Sequence, residues 1–139
     1  MELNGRKVVL PSGAELYVNA ARYEDTENFL GAFLDAIEGL PSPEGENDTY
    51  AKTFAEVATS RFMTRPKLKA AMWTCLQYCL VKKGEKVEKV TPKIFDGQVD
   101  RGDAAQIFFE CAAENFSPFL KGLWNVSQNL LSLLKNTQK

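Results

Sequence analysis

Apolar and polar residues alternate at the start of the chain and then settle into a helical period. Lys7-Val8-Val9-Leu10 is β-branched and apolar, Pro11-Ser12-Gly13 is a turn, and Ala14 to Val18 returns with alternation. This pattern predicts a β-hairpin within residues 1–18, with Leu16 and Val18 on one face and Glu15 and Tyr17 on the other. A lone hairpin is marginal in water, so its apolar face needs helices or another chain to pack on.

The rest of the chain predicts about five helices. The first spans Tyr23 to Leu40, with Phe29, Leu30, Phe33, Leu34, Ile37 and Leu40 as its stripe and carboxylates in its first turn. Residues 41–48 are polar and read as a flexible loop. A second helix covers Tyr50 to Ser60, with Tyr50, Phe54, Val57 and Ala58 inward. A third opens after Thr64 as its cap, with Pro66 in the first turn. It carries Leu68, Met72, Cys75, Leu76 and Cys79, and closes at Lys82, Lys83 and Gly84. Residues 85–98 read as irregular, apart from one turn after Thr91-Pro92 holding Ile94 and Phe95. The fourth helix runs from Arg101 to Asn115, with Ile107, Phe108, Cys111 and Ala112 inward. Ser117-Pro118 opens a fifth, the C-terminal helix of residues 117–139. The expected fold is thus one mainly α domain, residues 1–139, with an N-terminal β-hairpin: a small α+β protein.

Composition narrows the chemistry. The chain has 139 residues, 45% apolar and 25% charged, which suits one globular domain. It has no histidine, which removes His-based metal sites, Ser-His-Asp triads and the commonest general base. No glycine-rich phosphate loop is present, and the acidic residues of the first helix lie along an exposed face rather than as a buried catalytic pair. The expectation is therefore a protein that is not an enzyme and needs no cofactor. Cys75, Cys79 and Cys111 fall in apolar patterns and read as buried thiols, not as metal ligands. Arg101-Gly102-Asp103 spells an adhesion-type tripeptide, but with no secretion signal in the opening residues it reads as a helix start. No apolar run approaches the roughly 20 residues that span a bilayer, so no membrane partner is expected.

Charge is unevenly placed, although the net is −1. Residues 1–60 hold four basic and eleven acidic side chains, a net of −7, and residues 61–93 hold nine and two, a net of +7. This asymmetry points to charge-mediated contacts between copies, through Arg61, Arg65, Lys67, Lys69, Lys82 and Lys83 on one side and Glu24, Asp25 and Glu27 on the other. The alternative is that both zones face each other within one monomer. Binding of nucleic acid to the basic 61–93 segment is a weaker reading, because the aromatics lie mostly in apolar stripes. In the last helix, Phe119, Leu120, Leu123 and Trp124 read as core, whereas Leu130, Leu133 and Leu134 read as partner contacts at helical spacing.

The order of segments resembles the tail assembly chaperones of long-tailed bacteriophages and prophages. The stretches carrying the resemblance are Leu10 to Leu16 and Asn115 to Leu123, with Cys75-Leu-Gln-Tyr-Cys79 and the lysine-bearing segment Lys82 to Thr91 between them. The resemblance implies a non-catalytic role in the host bacterial cytoplasm. Such proteins bind the tape-measure protein, keep it soluble while tube subunits polymerise round it, and then leave. It also implies a longer form made by ribosomal frameshifting, which would reach the tail tube protein. The rival readings are a head–tail or tail-terminator component that stays in the virion, and a small nucleic-acid-binding regulator.

Overall fold

A computed structural model describes residues 3–36, 47–97 and 99–119, with the backbone alone over 47–51. The N-terminal hairpin is present as β1 (Arg6–Val9) and β2 (Glu15–Val18), paired antiparallel with Val8 opposite Leu16. Leu16 is fully buried and Val18 is 2% exposed, so the alternation chose the inner face correctly. Before β1, Gly5 has φ +110°, and a Cβ there would stand 2.5 Å from the Val18 carbonyl oxygen. Only glycine fits this close approach.

The hairpin is half of a larger sheet. Strands β3 (Leu80–Lys83) and β4 (Lys86–Lys89) continue it in the order β1-β2-β3-β4, all antiparallel. This corrects two expectations. The third helix does not run to Lys83, and residues 85–98 are not irregular throughout. The helix ends at Leu76, where Tyr78 N and Cys79 N donate to the Cys75 and Leu76 carbonyls. Gly84, expected to cap that helix, instead takes φ +63° as the first of two residues linking β3 and β4. Positive φ at that position alone is the pattern of a type II′ hairpin turn.

Three helices fill the chain between β2 and β3. They are α1 (Tyr23–Ala36), α2 (Asn47–Arg61) and α3 (Pro66–Leu76), with a 3-10 turn at Phe62–Thr64. Thr64 does not cap α3: its hydroxyl donates back to the Arg61 carbonyl at 3.3 Å, and Arg65 holds the N-cap position without a side-chain bond. Pro66 occupies the first turn as expected. Asn47 and Asp48 belong to α2, not to the expected 41–48 loop; the remainder of that loop lies outside the described residues.

A fourth helix, α4, covers 104–119 after a 3-10 turn at Arg101–Asp103. Ser117 and Pro118 lie inside it, so they do not open a fifth helix. Pro118 has no N–H to donate to the helix, and its ring crowds the preceding turn. Packing carries the helix past this defect: Phe116 is fully buried, and Phe119 stacks on Tyr23 at 5.4 Å. Four α-helices are therefore present among the described residues, and the rest of the expected C-terminal helix lies outside them. No described helix is long and apolar enough to cross a membrane.

One core joins the helices to the inner face of the sheet. Phe116 packs on Phe29 and Phe33 at 4.6 and 5.4 Å, and Phe33 reaches Phe54 at 5.2 Å. A second aromatic group centres on Phe108, which meets Phe62 at 4.5 Å, Trp73 at 5.5 Å and Phe95 at 6.4 Å. Val90, Ile94 and Val99 close this core from the segment after β4; Ile94 sits in the expected single turn at Pro92–Asp96. Leu34 departs from its stripe and is 38% exposed.

Buried polar groups fix how α4 meets the hairpin. Asp103 is 1% exposed and accepts the Ser12 amide at 3.0 Å and the Ser12 hydroxyl as well. Asn115, also 1% exposed, accepts Ala21 N at 2.8 Å and the Thr26 hydroxyl at 2.9 Å. Its amide group donates to the Cys111 carbonyl at 2.8 Å. Asp103→Ala removes both acceptors from Ser12 and strands its amide, so it is expected to cost roughly 2–3 kcal/mol in urea unfolding. Ser12→Ala keeps the amide bond and is expected to cost about 1 kcal/mol.

Candidate functional site

The predicted charged set is spread over several elements. The basic segment divides into two groups: Arg61, Arg65, Lys67 and Lys69 at the bend from α2 into α3, and Lys82 and Lys83 on β3. About 16 Å of helix α3 separates the bend from the strand that follows it. The sequence showed a single basic block because it could not show the turn at Gln77–Tyr78.

The acidic partners are engaged within the chain. Asp25 accepts Arg22 Nε at 3.0 Å and the Tyr78 hydroxyl at 2.7 Å, and Arg22 Nη2 lies 4.0 Å from Glu24. The Tyr78 hydroxyl bond to Asp25 raises the phenol above its usual pKa, and the Tyr23 hydroxyl bond to Glu27 does the same for Tyr23. Helix α1 packs on α3, so the acidic and basic helices adjoin in one monomer. Among the described residues, however, no ion pair joins Glu24, Asp25 or Glu27 to Arg61, Arg65, Lys67, Lys69 or Lys82. Leu130, Leu133 and Leu134, together with Trp124, lie outside the described residues.

The sheet's outer face carries Lys7, Val9, Glu15, Tyr17, Leu80, Lys82, Val87 and Lys89, by register with Glu15 and Tyr17; of these Leu80 is buried. Tyr17 donates its hydroxyl to Glu15 at 2.7 Å, and Lys7 approaches Glu15 at 3.5 Å. The Tyr17 bond, ahead of the Lys7 charge, holds the Glu15 carboxyl below its usual pKa. A shallow cleft of about 400 Å³ lies at one end of the sheet, between the Ser12–Glu15 and Lys82–Gly84 segments. Its walls are the turn residues Ser12, Gly13 and Gly84 with Ala14, and the strand residues Glu15, Lys82 and Lys83.

The adhesion tripeptide is structural. Asp103 is buried against Ser12, Gly102 N donates to Asp100 at 2.7 Å, and Arg101 pairs with Asp96 at 3.3 Å.

The three cysteines are buried and free, as expected, but they come together from three elements. Cys75 is on α3, Cys79 follows its end, and Cys111 is on α4, so Cys75 and Cys79 do not share a helix. Cys75 donates to the Asp25 carbonyl at 3.5 Å and Cys79 to the Asn19 carbonyl at 3.7 Å. Burial pushes the Cys75 thiol up to about 12. The bond between Cys79 and Cys111 lowers Cys79 and, together with burial, raises Cys111 well above the usual range. Among the described residues, no group of three or more His, Cys, Asp or Glu side chains is arranged to hold a metal ion.

Asn115 and Arg6 are the polar residues that the sequence reading missed. Arg6 spans Glu110 at 2.7 Å and Glu114 at 3.1 Å, tying β1 to α4. A signal for Asn115 was present: it stands four residues after Cys111 in an otherwise apolar stripe. No protein-family model, curated protein or solved structure matches the chain.

The thiols predict a pH dependence. Unfolding exposes Cys75 to water, where it ionises near 9, while the folded chain holds the proton to about 12. Between these values the unfolded state binds fewer protons, so stability falls as pH rises, by up to about 4 kcal/mol. Cys75→Ala should flatten this alkaline slope in denaturation curves. Labelling of all three thiols at pH 8 should be slow in the folded protein and rapid in urea.

Proposed function

We propose that the chain is a tail assembly chaperone: it binds the tape-measure protein of a long-tailed bacteriophage and keeps it soluble in the host cytoplasm until the tail tube encloses it. The role is non-catalytic and uses no cofactor. A tape-measure helix without its tube exposes an apolar stripe that aggregates unless covered. A small helical protein acting in many copies can supply that cover by multivalent contact.

The observation carrying this reading is the resemblance of residues 10–16 and 115–123 to that family. The described part of these stretches also falls in one core, with Leu10, Ala14, Leu16 and Phe116 in the same buried cluster. Leu130, Leu133 and Leu134 are the proposed contacts to the tape measure or to a second copy, and a frameshifted longer form is the proposed link to the tail tube protein. Self-association is part of the proposal. The engaged Glu24, Asp25 and Glu27 are poor candidates for its acidic half, which shifts it toward the apolar C-terminal residues.

Co-expression tests the reading directly. The tape-measure protein encoded beside this gene should be soluble with the chain and aggregate without it, and the chain should be absent from purified virions by mass spectrometry. Its presence there at stoichiometric level would establish the structural-component reading instead. Truncation after Gln128 should leave thermal stability nearly unchanged and abolish tape-measure binding; an unfolded truncation would place those leucines in the core.

A further inference from the structure

Cys79 and Cys111 stand far apart in the chain and on different elements, yet their side chains share a hydrogen bond. The Cys111 thiol donates to the Cys79 sulfur, and the Cys79 thiol donates in turn to the Asn19 carbonyl at 3.7 Å. On the other side, Asn115 Nδ2 donates to the Cys111 sulfur at 3.5 Å. The backbones beside the two sulfurs are held as well. Cys79 N donates to the Leu76 carbonyl at 2.9 Å, the Cys79 carbonyl accepts Val90 N at 3.2 Å, and the Cys111 carbonyl accepts Asn115 Nδ2 at 2.8 Å. Cys75 is buried too, but its thiol is turned to α1, where it donates to the Asp25 carbonyl at 3.5 Å. Of the three free thiols, the fold thus sets two against each other.

We propose that Cys79 and Cys111 form a reversible oxidation site, at which a peroxide converts the hydrogen-bonded thiol pair into a disulfide tying α4 to the turn between α3 and β3. A disulfide brings its sulfurs to about 2 Å, and a pair already in contact has less to close than Cys75, which faces α1. The chemistry is that of a peroxide-reactive thiol with a resolving partner. The Cys79 sulfur, as thiolate, attacks one peroxide oxygen. An S–O bond forms, the O–O bond breaks, and the departing hydroxide leaves as water with the proton Cys79 gave up. The Cys111 sulfur then attacks the Cys79 sulfur. The S–S bond forms, the S–O bond breaks, and a second water leaves with the Cys111 proton. Two electrons pass from sulfur to peroxide, and the chain loses two hydrogens. Cys79 is the attacking group because the thiolate is the nucleophile, and the Cys111 bond holds Cys79 below the usual thiol range while Cys111 lies well above it. Burial sets the pace: peroxide reaches the pair through local opening, so the site responds to sustained exposure. This inference goes beyond the chaperone reading and does not depend on it.

The test treats the folded full chain with excess hydrogen peroxide, alkylates the remaining thiols in urea and maps the peptides by mass spectrometry. Cys79 and Cys111 should be recovered in one disulfide-linked peptide pair, with Cys75 alkylated. A dithiol reductant should restore all three thiols. The oxidised chain should keep its helical circular dichroism, and its urea midpoint should rise, because the cross-link restricts the unfolded chain. Peroxide added in urea, where the contact is lost, should give mixed pairings instead. Cys75→Ser should form the same disulfide, whereas Cys111→Ser should stop at a sulfenic acid on Cys79, trapped by dimedone. If serine at the buried 111 position unfolds the chain, Cys75→Ser and the peptide map carry the test. The proposal fails if all three thiols survive in the folded chain, or if Cys75 enters the bond. It fails equally if peroxide links separate chains, or if the oxidised chain loses its fold.

Discussion

Helix α4 holds the fold together by reaching back to the first residues of the chain. Asp103, in the 3-10 turn that leads into it, binds Ser12 across 91 positions, its Asn115 binds Ala21 across 94, and its Glu110 and Glu114 hold Arg6 across more than a hundred. The Asp103 and Asn115 bonds satisfy polar groups that the apolar packing would otherwise strand, whereas Arg6 pairs with its two glutamates at the exposed surface. Apolar burial brings the hairpin and the helix together without fixing their register, because it has no direction. The Asp103 and Asn115 bonds are directional and separated by three turns of helix, so together they fix both the slide and the tilt of α4 against the sheet.

That registration explains why a four-stranded sheet can form from such distant pieces. β2 and β3 pair although three helices intervene, and the pairing sets Leu16 beside Val81 on the inner face. α1 and α3 cover this face and α4 closes it through Phe116. The cysteine cluster sits where α3, the turn after it and α4 converge. Small, weakly polar thiols suit that place, because each can both fill apolar space and satisfy a stray carbonyl. Larger side chains would push α4 off its anchors.

The features legible in the sequence were those that depend on near neighbours. The hairpin, the stripes of α1 to α4 and Pro66 at a helix start all follow from local periodicity and backbone sterics. β3 and β4 escaped notice because Leu80 and Val81 continue the helical stripe of Leu76 and Cys79 almost without a break. Only pairing with β2, far off in sequence, makes the strand the better choice. Ser117-Pro118 misled for the opposite reason. It is a genuine local start signal, overridden by the burial of Phe116 and the stacking of Phe119. The charge zones were visible as totals but not as places, since the turn at Gln77–Tyr78 divides the basic block and Asp25 turns inward to Tyr78.

The same division has a consequence for the surface. Where a charge helps hold the fold, a partner stands beside it: Arg6, Arg22 and Asp25 each sit in an internal contact. At the bend between α2 and α3 the sequence places four exposed cations within nine residues, with the exposed Met63 in the same stretch. Of these four, Arg65 ties the bend to the end of α1 by donating Nε to the Ala36 carbonyl at 3.4 Å. Like charges so close in sequence repel one another, and the burial of Phe62 and Leu68 between them holds the bend in place against that repulsion.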